Sequence, residues 1–124
     1  LGDPVDLRPE LAAAAQAATA AMAAHPRLVA GEGRLDTDLI ASGAGRLVSK
    51  IGGEAVHGGA DLTAGLGWGL KVGDGNRRAI APAVARALAL AGAPLPEDEK
   101  LARHVGPAVT NNHGDVVGHV AAGF

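Results

Sequence analysis

Two segments of the chain, both rich in alanine, are predicted to be helices. Over residues 10–24, alanine and other apolar residues recur at spacings of three and four, which predicts a helix that ends at His25-Pro26. An alanine-rich segment over about residues 76–90, which follows the turn Gly73-Asp74-Gly75, predicts a second helix, for which Asp74 is the expected cap. The first helix presents a face of small side chains, so we expect it to be part of the scaffold.

Between these helices lie three glycine-bounded segments with the composition of strands. Residues 46–51, 54–58 and 65–72 are predicted as strands, and Gly52-Gly53 forms the tight link between the first two. Consecutive strands with short links form an antiparallel meander. The sequence therefore predicts an α+β fold, in which an antiparallel sheet of about three to five strands packs against helices.

The remaining segments are predicted to be loops, turns and short elements. A glycine-broken loop is expected over residues 27–37, and Asp36 or Thr37 would cap a short helix that runs to Ser42. The other predicted features are a turn-rich start over residues 3–9, a charged helical turn over residues 97–104, a turn at residues 111–114 and a strand around residues 116–117.

Composition and charge narrow the classes of partner. The 124 residues fit one domain, but 19 glycines, one Trp, one Phe and no Tyr predict a small core that relies on further polypeptide. A net charge of −2 gives no basic footprint for nucleic acid or anionic lipid. No apolar run reaches the roughly 20 residues that cross a bilayer, and cysteine is absent. We therefore expect a cytoplasmic protein without a nucleic-acid or membrane partner.

Two lysines are the strongest candidates for chemistry. Lys50 and Lys71 fall in segments that we place on adjacent strands, each beside glycines that allow a close approach of backbone or substrate. The alternative interpretation is that both are edge-strand lysines, which block unwanted sheet pairing. Glu54 has two open interpretations as well, as a partner of a lysine or a substrate amine, or as a solvated carboxylate.

Four blocks of sequence stand out in order along the chain. They are residues 25–40, the run Lys-Ile-Gly-Gly-Glu-Ala-Val at residues 50–56, the run Gly-Leu-Gly-Trp-Gly-Leu-Lys-Val-Gly-Asp-Gly at residues 65–75 with Arg78-Ala79, and the tail from Pro107 with Asn111 and Gly114. Together they resemble the thermolabile bacterial L-asparaginase II family. The resemblance covers nearly the whole chain but only the C-terminal part of that family, so residues 1–124 are expected to be the C-terminal portion of an L-asparaginase II-like domain.

The resemblance implies a fold similar to serine β-lactamases and glutaminases, in which a Ser-x-x-Lys pair carries the nucleophile. It assigns catalytic roles to Lys71 and Lys50. Beside them, Gly52, Gly53 and Glu54 are the candidate substrate-binding residues. Neither serine of the chain is followed by a lysine three residues on. The nucleophile is therefore expected on an N-terminal portion that is absent from this chain.

Metal and cofactor chemistry has weaker support in the sequence. His57 lies near a position where family members place a metal-binding cysteine, so it is the candidate ligand for a zinc ion, although a lone His is more often a satisfied polar side chain. Gly65-x-Gly-x-Gly precedes a strand rather than opening a helix, which excludes a dinucleotide loop. No cofactor is expected to be required.

Two hypotheses follow. The first is an L-asparaginase-type amidohydrolase that converts L-asparagine to L-aspartate and ammonia, assembled with the missing N-terminal portion and present as a homodimer. The second is a non-catalytic remnant or partner domain with a structural or oligomerisation role. An upstream Ser-x-x-Lys would favour the first hypothesis.

Overall fold

The first part of the chain forms three helices of very different length. The computed structural model describes residues 9–124, so the predicted turn-rich start lies outside the described residues apart from Pro9. The predicted alanine helix is confirmed as α1 (Pro9–Ala24), most of whose side chains from Leu11 onward are exposed. Two further helices follow, α2 (Pro26–Ala30) and α3 (Leu35–Ser42).

Helix α2 occupies a segment that was predicted to be a loop. Pro26 stops α1, but it also begins α2, because a proline at the first helical position needs no N–H partner and already has a helical φ. The predicted cap of α3 is also wrong. Arg34 occupies that position without a side-chain cap, and Asp36 and Thr37 lie inside the helix.

Three strands form the predicted antiparallel meander, which the structure confirms. They are β1 (Leu47–Ile51), β2 (Val56–Asp61) and β3 (Leu66–Lys71), in the spatial order β1-β2-β3. A 3-10 turn, Gly53–Ala55, separates the first two strands, so β2 begins later and ends later than predicted. Every connection in this sheet is short and local.

The second half returns to helices and ends in a hairpin. It contains a 3-10 turn, Arg77–Ala79, followed by α4 (Ile80–Leu90), α5 (Glu99–Val105), β4 (Ala108–Thr110) and β5 (Val116–His119). Asn76, rather than the predicted Asp74, caps the 3-10 turn that leads into α4, and its Oδ1 accepts from the Arg78 N–H at 3.0 Å. Ala79, which directly precedes α4, provides no side-chain cap. Within residues 9–124, no helix combines the length and apolar character that a bilayer crossing requires.

The buried core lies between the sheet and the helices in two adjoining clusters. One contains Ala55 and three side chains of α4, and the other joins α3, β1 and α5 through Leu39, Leu47 and Leu101. Trp68 packs against both clusters. All of these contacts are on one side of the sheet. On the opposite side Val48 is also buried, whereas Lys50 and Lys71 are exposed.

Candidate active site

Lys50 and Lys71 lie on the same face of the sheet. Lys50 pairs with Gly58 across β1 and β2, and Lys71 pairs with Val56 across β2 and β3. Val56 and Gly58 are two residues apart, and side chains two apart in a strand share a face. The placement of the lysines on neighbouring strands is wrong, however, because β2 lies between them. Strand spacing puts their Cα atoms about 12 Å apart.

The sheet face between the two lysines is lined by glycine. Gly58 pairs with Gly69, so the row that continues from Lys50 across the sheet has no side chains. A Cβ atom built at Gly69 would meet nothing within 4 Å, and one at Gly58 would meet only the Trp68 carbonyl oxygen at 3.7 Å. This leaves a shallow, open surface on which backbone groups can approach a ligand closely.

Both ammonium groups are held by backbone carbonyls. Lys71 Nζ donates to the carbonyl oxygens of Glu54 and, at 3.0 Å, Val72. Lys50 Nζ donates to the Ile51 carbonyl at 2.9 Å, and both side chains are exposed. The bond to Glu54 spans from β3 to the β1–β2 turn, so Lys71 is fixed across the sheet, whereas Lys50 is tied only to its own neighbour.

The predicted substrate residues form the turn at the same end of the sheet. Gly52, Gly53 and Glu54 are exposed, and the Gly52 N–H donates to the Val56 carbonyl at 2.8 Å. Glu54 has a φ of 50°, a left-handed conformation that non-glycine residues adopt at a cost. The structure therefore brings this turn together with Lys71, through the Glu54 carbonyl rather than its carboxylate.

The opposite face carries a buried hydrogen-bond network that the sequence did not reveal. Asp36 Oδ1 accepts from Ser49 Oγ and pairs with His57 Nε2, both at 2.9 Å, and Asp36 Oδ2 accepts from the Ile51 N–H at 2.9 Å. Trp68 Nε1 donates to His57 Nδ1 at 3.1 Å. The network joins α3 to all three strands. Asp36, Ser49 and His57 are at most 2% exposed.

The network fixes the proton on the imidazole. An indole N–H can only donate, so His57 Nδ1 must accept, and the ring hydrogen sits on Nε2 and is donated to Asp36. Burial raises the pKa of Asp36, but the hydrogen bonds from His57, Ile51 and Ser49 outweigh it and hold that pKa below its ordinary value. Asp36 is therefore ionised, and its carboxylate accepts hydrogen bonds from three donors.

A second acidic centre lies in the same helix. Asp38 Oδ2 accepts from Arg103 Nη2 at 2.5 Å and lies 2.7 Å from His104 Nε2, which ties α3 to α5. Burial raises the pKa of Asp38, but its hydrogen bonds to Arg103 and His104 outweigh that effect and lower it. Both aspartates of the Asp-x-Asp sequence therefore serve packing. From the sequence, Asp36 was interpreted only as a candidate helix cap, and Asp38 was given no role.

A comparison of the sequence with models of known protein families identifies the family of this chain. The sequence model of the L-asparaginase II family matches residues 4–122. The chain belongs to the L-asparaginase II family. This confirms the resemblance of the four sequence blocks and supports an amidohydrolase of the asparaginase type. No curated protein matches the chain significantly.

The zinc hypothesis does not fit the described part of this L-asparaginase II family member. Both ring nitrogens of His57 are used, one by Trp68 and one by Asp36, and the ring is fully buried. Among residues 11–124, no group of three or more His, Cys, Asp or Glu side chains is arranged to hold a metal ion.

The hydroxyl groups of the two serines of this family member donate hydrogen bonds to aspartates. Ser42 Oγ donates to Asp98 Oδ2 at 2.6 Å, and Ser49 Oγ donates to Asp36. Ser49 directly precedes Lys50, but alternation along β1 places their side chains on opposite faces. In the described residues, neither serine hydroxyl is hydrogen-bonded to a lysine.

Proposed function

We propose that this chain is the lysine-bearing part of an amidohydrolase that hydrolyses L-asparagine to L-aspartate and ammonia. The observation that carries the proposal is the family match over residues 4–122. It gains support from the placement of Lys50, Lys71 and the Gly52–Glu54 turn at one end of one open face. We assign Lys71 to proton transfer, and Lys50 to the serine network or the substrate carboxylate.

The proposed reaction proceeds through a serine ester. A serine oxygen attacks the side-chain amide carbon of asparagine while a base takes the hydroxyl proton. The C–N bond then breaks, and the same group returns the proton to the departing nitrogen, which leaves as ammonia. Water hydrolyses the ester, which releases aspartate and restores the serine. The N–H group of Gly53, an exposed residue, is a candidate to stabilise the charge on the amide oxygen, whereas the Gly52 N–H already donates to the Val56 carbonyl.

Lys71 is the better candidate for the proton-transfer group. Its Nζ is held by carbonyls on two different elements, which fixes the position of the nitrogen relative to the turn. A lysine accepts a proton only when burial or a second cation makes its neutral form accessible. We infer that a polypeptide that covers the open face supplies that burial, and that Lys50 supplies the second positive charge.

The same covering polypeptide is proposed to supply the nucleophile. Ser42 and Ser49 are both committed to aspartates, and freeing Ser49 would break the buried Asp36 network. A serine that reaches Lys71 must therefore come from outside these 124 residues. We propose that it belongs to a Ser-x-x-Lys pair on polypeptide encoded upstream, as the family resemblance implies.

Ammonia release from L-asparagine tests the proposal. The 124-residue chain alone should be inactive, whereas a protein that joins it to the polypeptide encoded upstream should be active. In that protein, Lys71→Ala should lower kcat/KM by at least about 100-fold, the scale of general acid–base catalysis. Lys100→Ala is the matched control, because Lys100 is an exposed lysine on α5.

Two results would contradict these assignments. Unchanged turnover in a folded Lys71→Ala variant would remove Lys71 from the mechanism, with far-ultraviolet circular dichroism as the check on folding. Absence of ammonia release from the joined protein, with asparagine and with glutamine, would favour the second hypothesis of a non-catalytic structural module.

A further inference from the structure

A cavity of about 330 Å³ lies on the helix side of the sheet, where Ile51 forms part of its wall. It includes neither Lys50 nor Lys71. Its apolar wall also contains Leu35, Ile80 and Ala81, so a bound ligand is shielded from water where it contacts these side chains. Its polar wall is unusual in composition, because it consists mainly of basic side chains. These are Arg34, Arg77, Arg78, Arg103 and His104.

The residues around this cavity carry an excess of positive charge. Its lining contains four arginines and one aspartate, a formal excess of three, which falls to one when the Asp38 and Asp74 partners of Arg103 and Arg78 are counted. The lining carboxylate, Asp36, already accepts three hydrogen bonds from within the protein. Arg103 is paired with Asp38, and Arg78 lies 3.6 Å from Asp74. The ion pairs within residues 11–124 include neither Arg34 nor Arg77.

The arginines also stand where their charge is locally unfavourable. Arg34 precedes the first turn of α3, and Arg77 and Arg78 precede α4. Cations are disfavoured at helix N-termini, because the unpaired N–H groups there carry partial positive charge. Three arginines that break this rule all line one cavity. Such local conflicts are expected where a sequence serves binding rather than stability.

We propose that this arginine-lined cavity binds a small molecule through an oxyanion, either a carboxylate or a phosphate. Guanidinium groups match both ligands, since their planar N–H pairs bind two oxygens at once. The apolar wall of Ile51 and Ile80 would contact the carbon skeleton of the ligand. The proposal does not depend on the amidohydrolase activity, because binding at this cavity requires no turnover.

Calorimetric titration of the 124-residue chain at low ionic strength tests the proposal, with inorganic phosphate and succinate as the two probes. We expect saturable binding of at least one probe in the millimolar range or tighter. Binding of phosphate alone would identify a phosphate ligand, and binding of succinate alone a carboxylate ligand. Each result supports the proposal. Loss of one charge-assisted contact in Arg77→Gln should weaken the bound probe by about tenfold or more.

Arg27→Gln is the matched control, because it removes the same charge from an exposed residue of α2 outside the cavity. Binding by this variant should stay within twofold of the unmodified chain. Equal weakening in Arg27→Gln and Arg77→Gln would overturn the proposal, since it would indicate a general charge effect. Failure of both probes to bind the unmodified chain would overturn it as well. If Arg77→Gln does not fold, Arg34→Gln provides the same comparison.

Discussion

Replacement of Asp36 by asparagine should destabilise the protein substantially, although the change removes no volume. Three donors converge on the two carboxylate oxygens: the Ser49 hydroxyl, the Ile51 N–H and the His57 Nε2–H. An amide has one oxygen, so its NH₂ group must face at least one of these donors. The imidazole cannot rearrange to accept, because Trp68 already donates to its other nitrogen.

The magnitude follows from the donors that are left unsatisfied. A buried donor without an acceptor costs about 1–3 kcal/mol, and the remaining bonds lose the strengthening that an ionised acceptor provides. We therefore expect the free energy of unfolding to fall by about 2–4 kcal/mol at pH 7. The assay is urea unfolding followed by far-ultraviolet circular dichroism. Glu32→Gln, with a side chain that is 82% exposed, makes the same chemical change and should cost less than about 1 kcal/mol.

The pH dependence supplies an independent check. The folded-state pKa of Asp36 is lowered, so the stability that it contributes is complete above its unfolded pKa of about 3.9 and is lost as the pH falls through the folded pKa. The difference in unfolding free energy between the unmodified protein and the variant should therefore shrink below about pH 4. A difference at pH 7 of less than about 1 kcal/mol would refute the assignment of three donors to an ionised Asp36.

Three further substitutions test the packing of the sheet and the backbone strain of a turn. Gly59→Ala should lower the unfolding free energy by about 1–3 kcal/mol, because its Cβ would overlap the Trp68 ring and lie 2.6 Å from the Val48 carbonyl oxygen. Gly69→Ala meets nothing within 4 Å and should cost clearly less in the same urea assay, and equal costs would contradict this packing. Ala44 has a φ of 47°, a left-handed conformation that costs a non-glycine residue about 1–2 kcal/mol. Ala44→Gly should therefore raise the thermal midpoint slightly, because relief of this strain exceeds the cost of the larger conformational entropy that glycine gives the unfolded chain. A lower midpoint would show that Ala44 is not strained.

Local sequence signals predicted the helices and the meander well. The alanine-rich run predicted α1, and glycine-bounded strands with short links predicted the order β1-β2-β3. The misses have local causes too. Pro26 was interpreted only as a breaker, although it also suits a helix start, and β4 is a three-residue strand that is too short to show a period. The Gly53–Ala55 turn displaced the start of β2, because left-handed Glu54 extends the link.

The geometry around the site was less accessible to the sequence. The contacts of Asp36 reach residues 13, 15 and 21 positions away, and no periodic pattern encodes such a convergence. The lysines could be picked out because glycines surround them and because the family pattern contains them. Their assignment to adjacent strands was inconsistent with the predicted meander, because the order β1-β2-β3 already places the middle strand between the segments that carry them.

The single tryptophan lies on one side of the sheet, so its fluorescence distinguishes changes on that side from changes on the other. Trp68 points toward the helices and contacts His57, whereas Lys50 and Lys71 project from the other side. Its fluorescence therefore reports whether the buried polar contacts are intact. A polypeptide that docks over the lysines should leave the emission maximum in place, while loosening of the sheet from its helices should shift it to longer wavelength. The fluorescence of Trp68 thus reports on the helix side of the sheet rather than on the side that carries the lysines.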